Sequence, residues 1–356
     1  MANIIVDLTP LYGRKITGIE RYGIELYQAL VKTEHTIIPI FRKENTIDDN
    51  PNAIIINCSN RFFVENIIMP WKLIRLKNIS AVFFPILPPP ISLLYSNLKI
   101  IPTIHDLAFK FYSKTLSTRA RFYLTPKYNM ALKRANYILT ISETVKKELE
   151  SISKVSILNW GESISKNFNL KNYIFNPEVI KKFGLNINHY LISVSTLEPR
   201  KNLKFLLKIW EKLSVKHPNF KLVLVGRLGW GNDAELKNLL DKLKNSIVIT
   251  GFITDSELIN LYHFSKSFIL LSIYEGFGRT PFEALACKTN VIVSDIPVFR
   301  ENLEHNATFV SLKDIDDAIQ IIDSTISMNQ NESKIDPKIF NILETNIINN
   351  LNKIIQ

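Results

Sequence analysis

Cysteine is scarce: the chain holds two in 356 residues, Cys58 and Cys287, far apart and with no metal-ligand spacing around either. That argues against a disulfide framework or a zinc site and predicts a reducing, cytoplasmic setting. No basic region precedes the opening MANIIVDLTP, so no secretory signal is expected. Long apolar runs are missing as well. The longest, Ile79 to Tyr95, is interrupted by Pro85 and by Pro88-Pro89-Pro90, and it falls short of the roughly 20 residues a membrane-spanning helix needs. A dinucleotide fingerprint is also lacking: no Gly-x-Gly-x-x-Gly follows the first strand, and GRLGWG, from Gly226 to Gly231, has the wrong spacing. That weakens the reading of a dinucleotide-dependent oxidoreductase. There is no internal repeat and no low-complexity tract beyond an Asn/Ile/Lys bias.

What the chain has in excess is positive charge and length. Its 356 residues predict two domains, each long enough to bury a core. The net charge is +11, and from Pro51 to Glu150 there are 14 Lys and Arg against 5 Asp and Glu, so that stretch carries +9. Nucleic acid, an anionic membrane surface and an ordinary solvated face compete to explain it. No nucleic-acid motif accompanies the charge. The apolar and basic segments FFVENIIMPWKLIRLK (Phe62 to Lys77) and RARFYLTPKYNMALKR (Arg119 to Arg134) suit peripheral contact with anionic lipid, or packed helices.

Apolar strands alternate with amphipathic helices throughout. In the first half the pattern predicts strands at Asn3 to Leu8, Thr36 to Phe41, Ala53 to Cys58, Ala81 to Phe84, Lys99 to Ile104 and Tyr137 to Ile141, with helices at Gly18 to Lys32 and Thr118 to Arg134. In the second it predicts strands at Tyr190 to Ser195, Lys221 to Val225, Ile247 to Thr250, Phe268 to Ser272 and Val291 to Ser294. Such alternation means an α/β protein of parallel, doubly wound sheets. The loop-like stretch from Lys166 to Asn186 marks the junction: residues 1–170, a linker at 171–188, a second domain at 189–336 and a final helix at 337–356.

One stretch concentrates chemistry. In YEGFGRTPFEALAC, Tyr274 to Cys287, a glycine loop follows a buried strand and leads into a helix whose start reads as Thr280 at N-cap, Pro281 at N1 and Glu283 at N3. Glu283 would then be the acid of a capping box. The same geometry can hold a phosphate: a helix N-terminus offers unpaired N–H groups, and Gly276 and Gly278 let the backbone approach closely. Two carboxylates beside a phosphate, Glu275 and Glu283, need other partners, and hydroxyls are the natural ones. A ligand with phosphate in the middle and hydroxyls on both sides is a nucleotide sugar. Arg200 and Lys201, in SVSTLEPRKNLKF, lie in the loop after the first strand of the second half, where two cations could neutralise a diphosphate. Asp314-Ile315-Asp316 is a DxD string, but it opens an amphipathic segment where helix capping explains it.

TIHDLAF, TISETVKKEL, EPRKN and YEGFGxxPFEALAC followed by VIVSDIPVFRE, in this order along nearly the whole chain, resemble the retaining GT-B glycosyltransferases of family 4, also called glycosyltransferase group 1, and among them bacterial mannosyl- and rhamnosyltransferases of surface polysaccharide synthesis, including O-antigen and capsule. The resemblance implies two Rossmann-like domains facing a cleft. The donor would be held by the C-terminal domain and a glycan or polyprenyl-linked acceptor by the N-terminal one, at the inner face of the membrane. It implies that Arg200 and Lys201 contact the donor diphosphate, that the backbone from Gly276 through Phe277, Gly278 and Arg279 to Thr280 cradles phosphate, that Glu275 meets the transferred sugar, and that Glu283 binds the ribose. His105 of TIHD would lie over the sugar near the acceptor as a catalytic residue with Glu275, Arg200 and Lys201, Asp106 would line the acceptor side of the cleft, and Gly18 would leave space there for donor or acceptor. No cofactor and no metal are implied. GDP-mannose and dTDP-rhamnose lead as donors, with UDP-sugars open, and a catalytically silent nucleotide-sugar-binding module of the same fold is the alternative. The chain departs from the family at Arg279-Thr280 (often Leu-Pro), at Lys288-Thr289-Asn290 (often Gly-Thr-Pro) and at Ser195 (often Gly), all of which bear on sugar identity.

Overall fold

A computed structural model describes residues 1–356 apart from 14–15, 45–46, 113–117, 172, 197, 227–232, 328–334 and 356; at 119 and 120 it describes the backbone alone. Most of the GRLGWG string thus lies outside the described residues. The chain divides into two compact units, Met1–Ser163 with Asn341–Gln356, and Ile164–Phe340.

In the first unit β1 (Asn3–Asp7), β2 (Thr36–Arg42), β3 (Ile54–Ile56), β4 (Ile79–Phe84) and β5 (Ile100–Pro102) form a parallel sheet in the order β3-β2-β1-β4-β5. β6 (Tyr137–Thr140) and β7 (Ser156–Asn159) pair in parallel beyond it. β5 is shorter than the predicted Lys99 to Ile104: its last bond to β4 runs from the Thr103 N–H to the Phe84 carbonyl at 3.0 Å, where β4 itself ends before Pro85. From there the chain changes partner: Thr103 bridges Leu139, and the Ile104 N–H bonds the Leu139 carbonyl at 2.8 Å. Helix Gly18–Val31 starts on a capping box, with Thr17 as N-cap and Glu20 accepting the Thr17 N–H at 3.1 Å. Helix Thr118–Arg134 matches its predicted span.

The second unit holds β8 (Tyr190–Val194), β9 (Lys221–Val225), β10 (Ile247–Gly251), β11 (Ser267–Leu270), β12 (Val291–Ser294) and β13 (Thr308–Val310), ordered β10-β9-β8-β11-β12-β13, every pair parallel. The central strands β8, β9, β11 and β12 are buried nearly throughout and read as largely apolar runs, as strands covered on both faces of a doubly wound sheet do. Helix Leu203–Lys216 shows the packing: Leu203, Leu206, Leu207, Trp210 and Leu213 recur at helical spacing and are buried with Leu222 and Leu224 of β9. Each such side chain contributes about 1.5–3 kcal/mol on burial.

The 171–188 stretch is not a free connector. Tyr173 and Ser256 share a hydroxyl hydrogen bond of 2.9 Å, and the Asn176 N–H donates to Asn260 Oδ1 at 2.6 Å, so side chains of helix Asp255–His263 tie this stretch into the second unit. The chain end runs the other way: after a 3-10 turn at Pro337–Phe340, helix Ile342–Ile355 packs with the first unit, buried through Leu343, Ile347, Leu351 and Ile354. Among the described residues no helix is long and apolar enough to cross a membrane.

Candidate active site

The order β10-β9-β8-β11 puts the first strand of the second unit beside the fourth, so the winding direction reverses between β8 and β11. At such a switch point the loops after the two strands turn to opposite sides and leave a crevice, where doubly wound sheets bind ligands. Here those loops are the ones holding Arg200-Lys201 and Ser272–Gly278. They are joined by a hydrogen bond of 2.8 Å from the Ile273 N–H to the Arg200 carbonyl and one of 3.0 Å from Arg200 Nη1 to the Tyr274 carbonyl.

Glu275 sits at the centre and is buried. Its Oε2 accepts from Arg200 Nη1 at 2.8 Å, and its Oε1 accepts from Lys201 Nζ at 2.5 Å and from the Ser272 hydroxyl at 2.7 Å. Burial alone would raise the carboxyl, but Lys201 and Arg200 outweigh it and hold the group down to about 2. Burial, and then the neighbouring Arg200 charge, pull the Lys201 ammonium below its ordinary range. Arg200 also pairs through Nη2 with Glu198 at 2.8 Å, an acid whose side chain is about a third exposed. Two cations thus share one buried and one solvent-facing carboxylate, and only the second can leave without stranding a buried charge. Ser272 and Glu198 are not among the residues that the sequence motifs single out. Glu198 stood in view beside Pro199-Arg200, but nothing local shows that Ser272 turns back onto Glu275.

The helix that follows corrects the predicted start. It spans Arg279–Ala286 with Gly278 as N-cap at φ +95°, so Thr280 is N2, Pro281 is N3 and Glu283 is N5, with no side-chain cap hydrogen bond. Pro281 is tolerated because the first helical N–H groups have no intrahelical partner. Glu283 is therefore not a capping-box acid. It is buried and lies within 3.4 Å of the Tyr262 hydroxyl, which burial and then the Glu283 charge raise well above the usual phenol range. Phe277 stacks on Phe282, ring centroids 5.3 Å apart, and its carbonyl accepts from Asn302 Nδ2 at 3.0 Å, fixing the loop from both sides. Gly276, Phe277, Gly278, Arg279 and Thr280 thus form the turn that brings the helix N-terminus to the strand end. Asp314 behaves as the sequence indicated: its Oδ1 accepts the N–H groups of Asp316 and Asp317 at 2.9 and 3.1 Å, capping helix Ile315–Ser327.

His105, Asp106 and Gly18 belong to the first unit. His105 is buried, its ring edge-on to Tyr22 with centroids 4.8 Å apart, and Nε2 lies 2.8 Å from the Pro85 carbonyl. A carbonyl only accepts, so Nε2 carries the proton. Asp106 Oδ1 accepts the Ala108 N–H at 2.9 Å, and Gly18 is the exposed first residue of its helix.

Residues 177–339 match the family described as Glycosyl transferases group 1. The O-antigen chain mannosyltransferase RfbU of Salmonella typhimurium is 32% identical over 213 residues, 60% of this chain and 56% of that protein. O-antigen chain mannosyltransferase B of Escherichia coli is 25% identical over 228 residues, 61% of this chain and 58% of that one. The matches therefore span little more than half of those relatives. Among solved structures, a glycosyltransferase from Rickettsia africae ESF-5 superposes with a TM-score of 0.68 at 24% identity, covering 99% of this chain and 96% of its own. Anabaena HepE in complex with UDP and glucose superposes with a TM-score of 0.72 at 15% identity, covering 99% and 100%. Residues 177–339 are thus a glycosyl transferases group 1 domain, and the chain that carries it has the GT-B fold.

Proposed function

We propose that the protein is a retaining glycosyltransferase that moves a hexose or deoxyhexose from a nucleotide-sugar donor to a growing, lipid-linked bacterial surface glycan. The observation that carries this reading is the pairing of Arg200 and Lys201 with Glu275 at the sheet's switch point, beside the N-terminus of helix Arg279–Ala286. A donor diphosphate entering there would meet two cations and the positive end of that helix, and Glu198 would yield the Arg200 guanidinium to it. Glu283 would accept from ribose hydroxyls and Glu275 would face the transferred sugar, with His105, Asp106 and Gly18 on the acceptor side. The acceptor hydroxyl would attack the face that the diphosphate leaves, and a leaving oxygen would take its proton. The likeness to two O-antigen mannosyltransferases favours mannose, hence GDP-mannose. dTDP-rhamnose and UDP-sugars are the other candidates, UDP being what the HepE structure contains.

The nucleotide is found by a thermal-shift panel of UDP, GDP, dTDP and ADP. A nucleotide at about 100 times its dissociation constant stabilises by roughly 2.7 kcal/mol, which reads as several degrees. Glu283→Gln should then weaken binding of that nucleotide about tenfold or more with little change in the unliganded melting temperature, since the lost interaction is with ribose. Unchanged affinity would remove Glu283 from the donor site. Acceptor-dependent release of nucleoside diphosphate separates transfer from silent binding.

The positive field at the diphosphate is proposed to come from Arg200, Lys201 and the helix N-terminus rather than from a divalent ion. Transfer should therefore survive EDTA. Complete loss on chelation, restored by Mg²⁺ or Mn²⁺, would overturn this part of the mechanism.

A further inference from the structure

The two apolar and basic segments singled out in the sequence form one surface. Residues 61–75 run as a single helix with a wide turn inside it: Val64–Ile68 is π-helical, and the Met69 N–H bonds the Val64 carbonyl five residues back. The wide turn stacks Val64 over Met69 on the buried face, with Leu73 a turn further on. Phe62, Phe63, Ile67, Trp71 and Ile74 are left on the opposite face, each 49–57% exposed. The helix cannot roll to hide them. Glu65, on its inner side, is buried and accepts from Lys127 Nζ at 3.1 Å and the Tyr123 hydroxyl at 2.7 Å, both on helix Thr118–Arg134, and it pairs with Arg61. Asn66 Nδ2 donates to the Tyr123 hydroxyl at 2.8 Å. The neighbouring helix adds Phe122, which is 72% exposed.

Charge borders this face with one sign. Residues 61–134 contain 12 Lys and Arg against two acids, Glu65 and Asp106. The first of these is taken up by its buried pair, and Asp106 caps a turn elsewhere. Lys72, Arg75 and Lys77 flank the apolar row, and the Arg75 guanidinium lies 3.7 Å from the centroid of the Trp71 ring. A second copy docking face to face would set these cations against their own equivalents, because a two-fold contact is self-complementary. A bilayer with anionic headgroups suits both features: the rings and aliphatic chains enter the acyl boundary while long basic side chains reach back to phosphate.

We propose that the outer face of helix 61–75, extended by Phe122, is a docking surface for anionic phospholipid that holds the first unit on a membrane. It rests on geometry within that unit and stands apart from the transfer reading. The test uses sedimentation with vesicles of equal parts phosphatidylglycerol and phosphatidylcholine against phosphatidylcholine alone, with Trp71 emission as the reporter. Binding to the anionic vesicles should weaken as salt rises. Removing Lys72, Arg75 and Lys77 as glutamines should lower it roughly fivefold per charge at low salt. Ile67→Ser with Trp71→Ser should lower it at every salt concentration, while Trp71→Phe keeps binding and loses the emission shift. Ile67, Trp71, Arg75 and Lys77 are exposed and Lys72 is half-buried, with none of them in the core, so circular dichroism melting should match the parent protein. Equal affinity for neutral vesicles, or variants that bind as the parent does, would overturn the proposal. So would a concentration-dependent dimer broken by the same substitutions without vesicle binding.

Discussion

Replacing Glu275 by glutamine is expected to cut glycosyl transfer by about 10²–10³-fold while nucleoside diphosphate binding stays normal or tightens. Under the proposed mechanism the carboxylate faces a sugar that becomes positively charged as the diphosphate leaves, so its charge matters most in the transition state. It also competes with the donor phosphates for Arg200 and Lys201, which hold it at 2.8 and 2.5 Å. Without that competitor the cations are freer for phosphate. The unliganded protein should suffer, because two largely buried cations lose their shared counter-charge; breaking such a pair costs about 3–5 kcal/mol. Bound diphosphate should restore part of the loss, so the thermal shift on adding nucleotide should be larger in the variant than in the parent. Transfer within a few-fold of the parent, or loss of nucleotide binding together with transfer, would refute the assignment.

The same carboxyl sets an acid limit on stability. Its folded-state value is depressed from 4.5 to about 2, so the folded state binds its proton later than the unfolded state does. The stabilisation is therefore fully present above about 4.5 and disappears as pH falls from there through about 2, and it is on the order of 3 kcal/mol. The stability gap between parent and Glu275→Gln should narrow across that window and stay constant above it, which denaturant titrations at stepped pH would read directly.

Gly278→Ala should damage both stability and nucleotide affinity. Gly278 holds φ +95°, and an added Cβ would lie 2.5 Å from Cε1 of Phe299, a fully buried ring. Backbone strain and overpacking together should cost about 2–4 kcal/mol, a fall in melting temperature of roughly 5–10 °C. The turn also aims the N-terminus of helix Arg279–Ala286, so nucleotide affinity should fall with stability. A melting temperature within a degree of the parent and unchanged affinity would mean that Phe299 moves aside and the turn is not decisive.

Much of this was legible along the chain. Parallel strands buried on both faces must be apolar throughout, so β9 and β12 lie where the apolar runs Lys221–Val225 and Val291–Ser294 put them. Glycine and proline mark the loop before helix Arg279–Ala286, but they do not fix its first residue. Thr280-Pro281 looks like a cap followed by N1, whereas the left-handed Gly278 had already turned the chain. Local sequence offers both starts, and packing of Gly278 against Phe299 admits the earlier one.

The sequence by itself determined which residues are charged, where strands alternate with helices, and that an acid, two glycines and a helix start follow one buried strand. Only the tertiary structure decided that this loop meets Arg200 and Lys201. Arg200 and Glu275 are 75 residues apart, and the hydrophobic periodicity of β8 and β11 says nothing of which strands are neighbours. Strand order is set by how each crossover packs back on the sheet. Placing β11 against β8 is what faces two cations toward one carboxylate, and burial then makes that charge balance strong enough to matter.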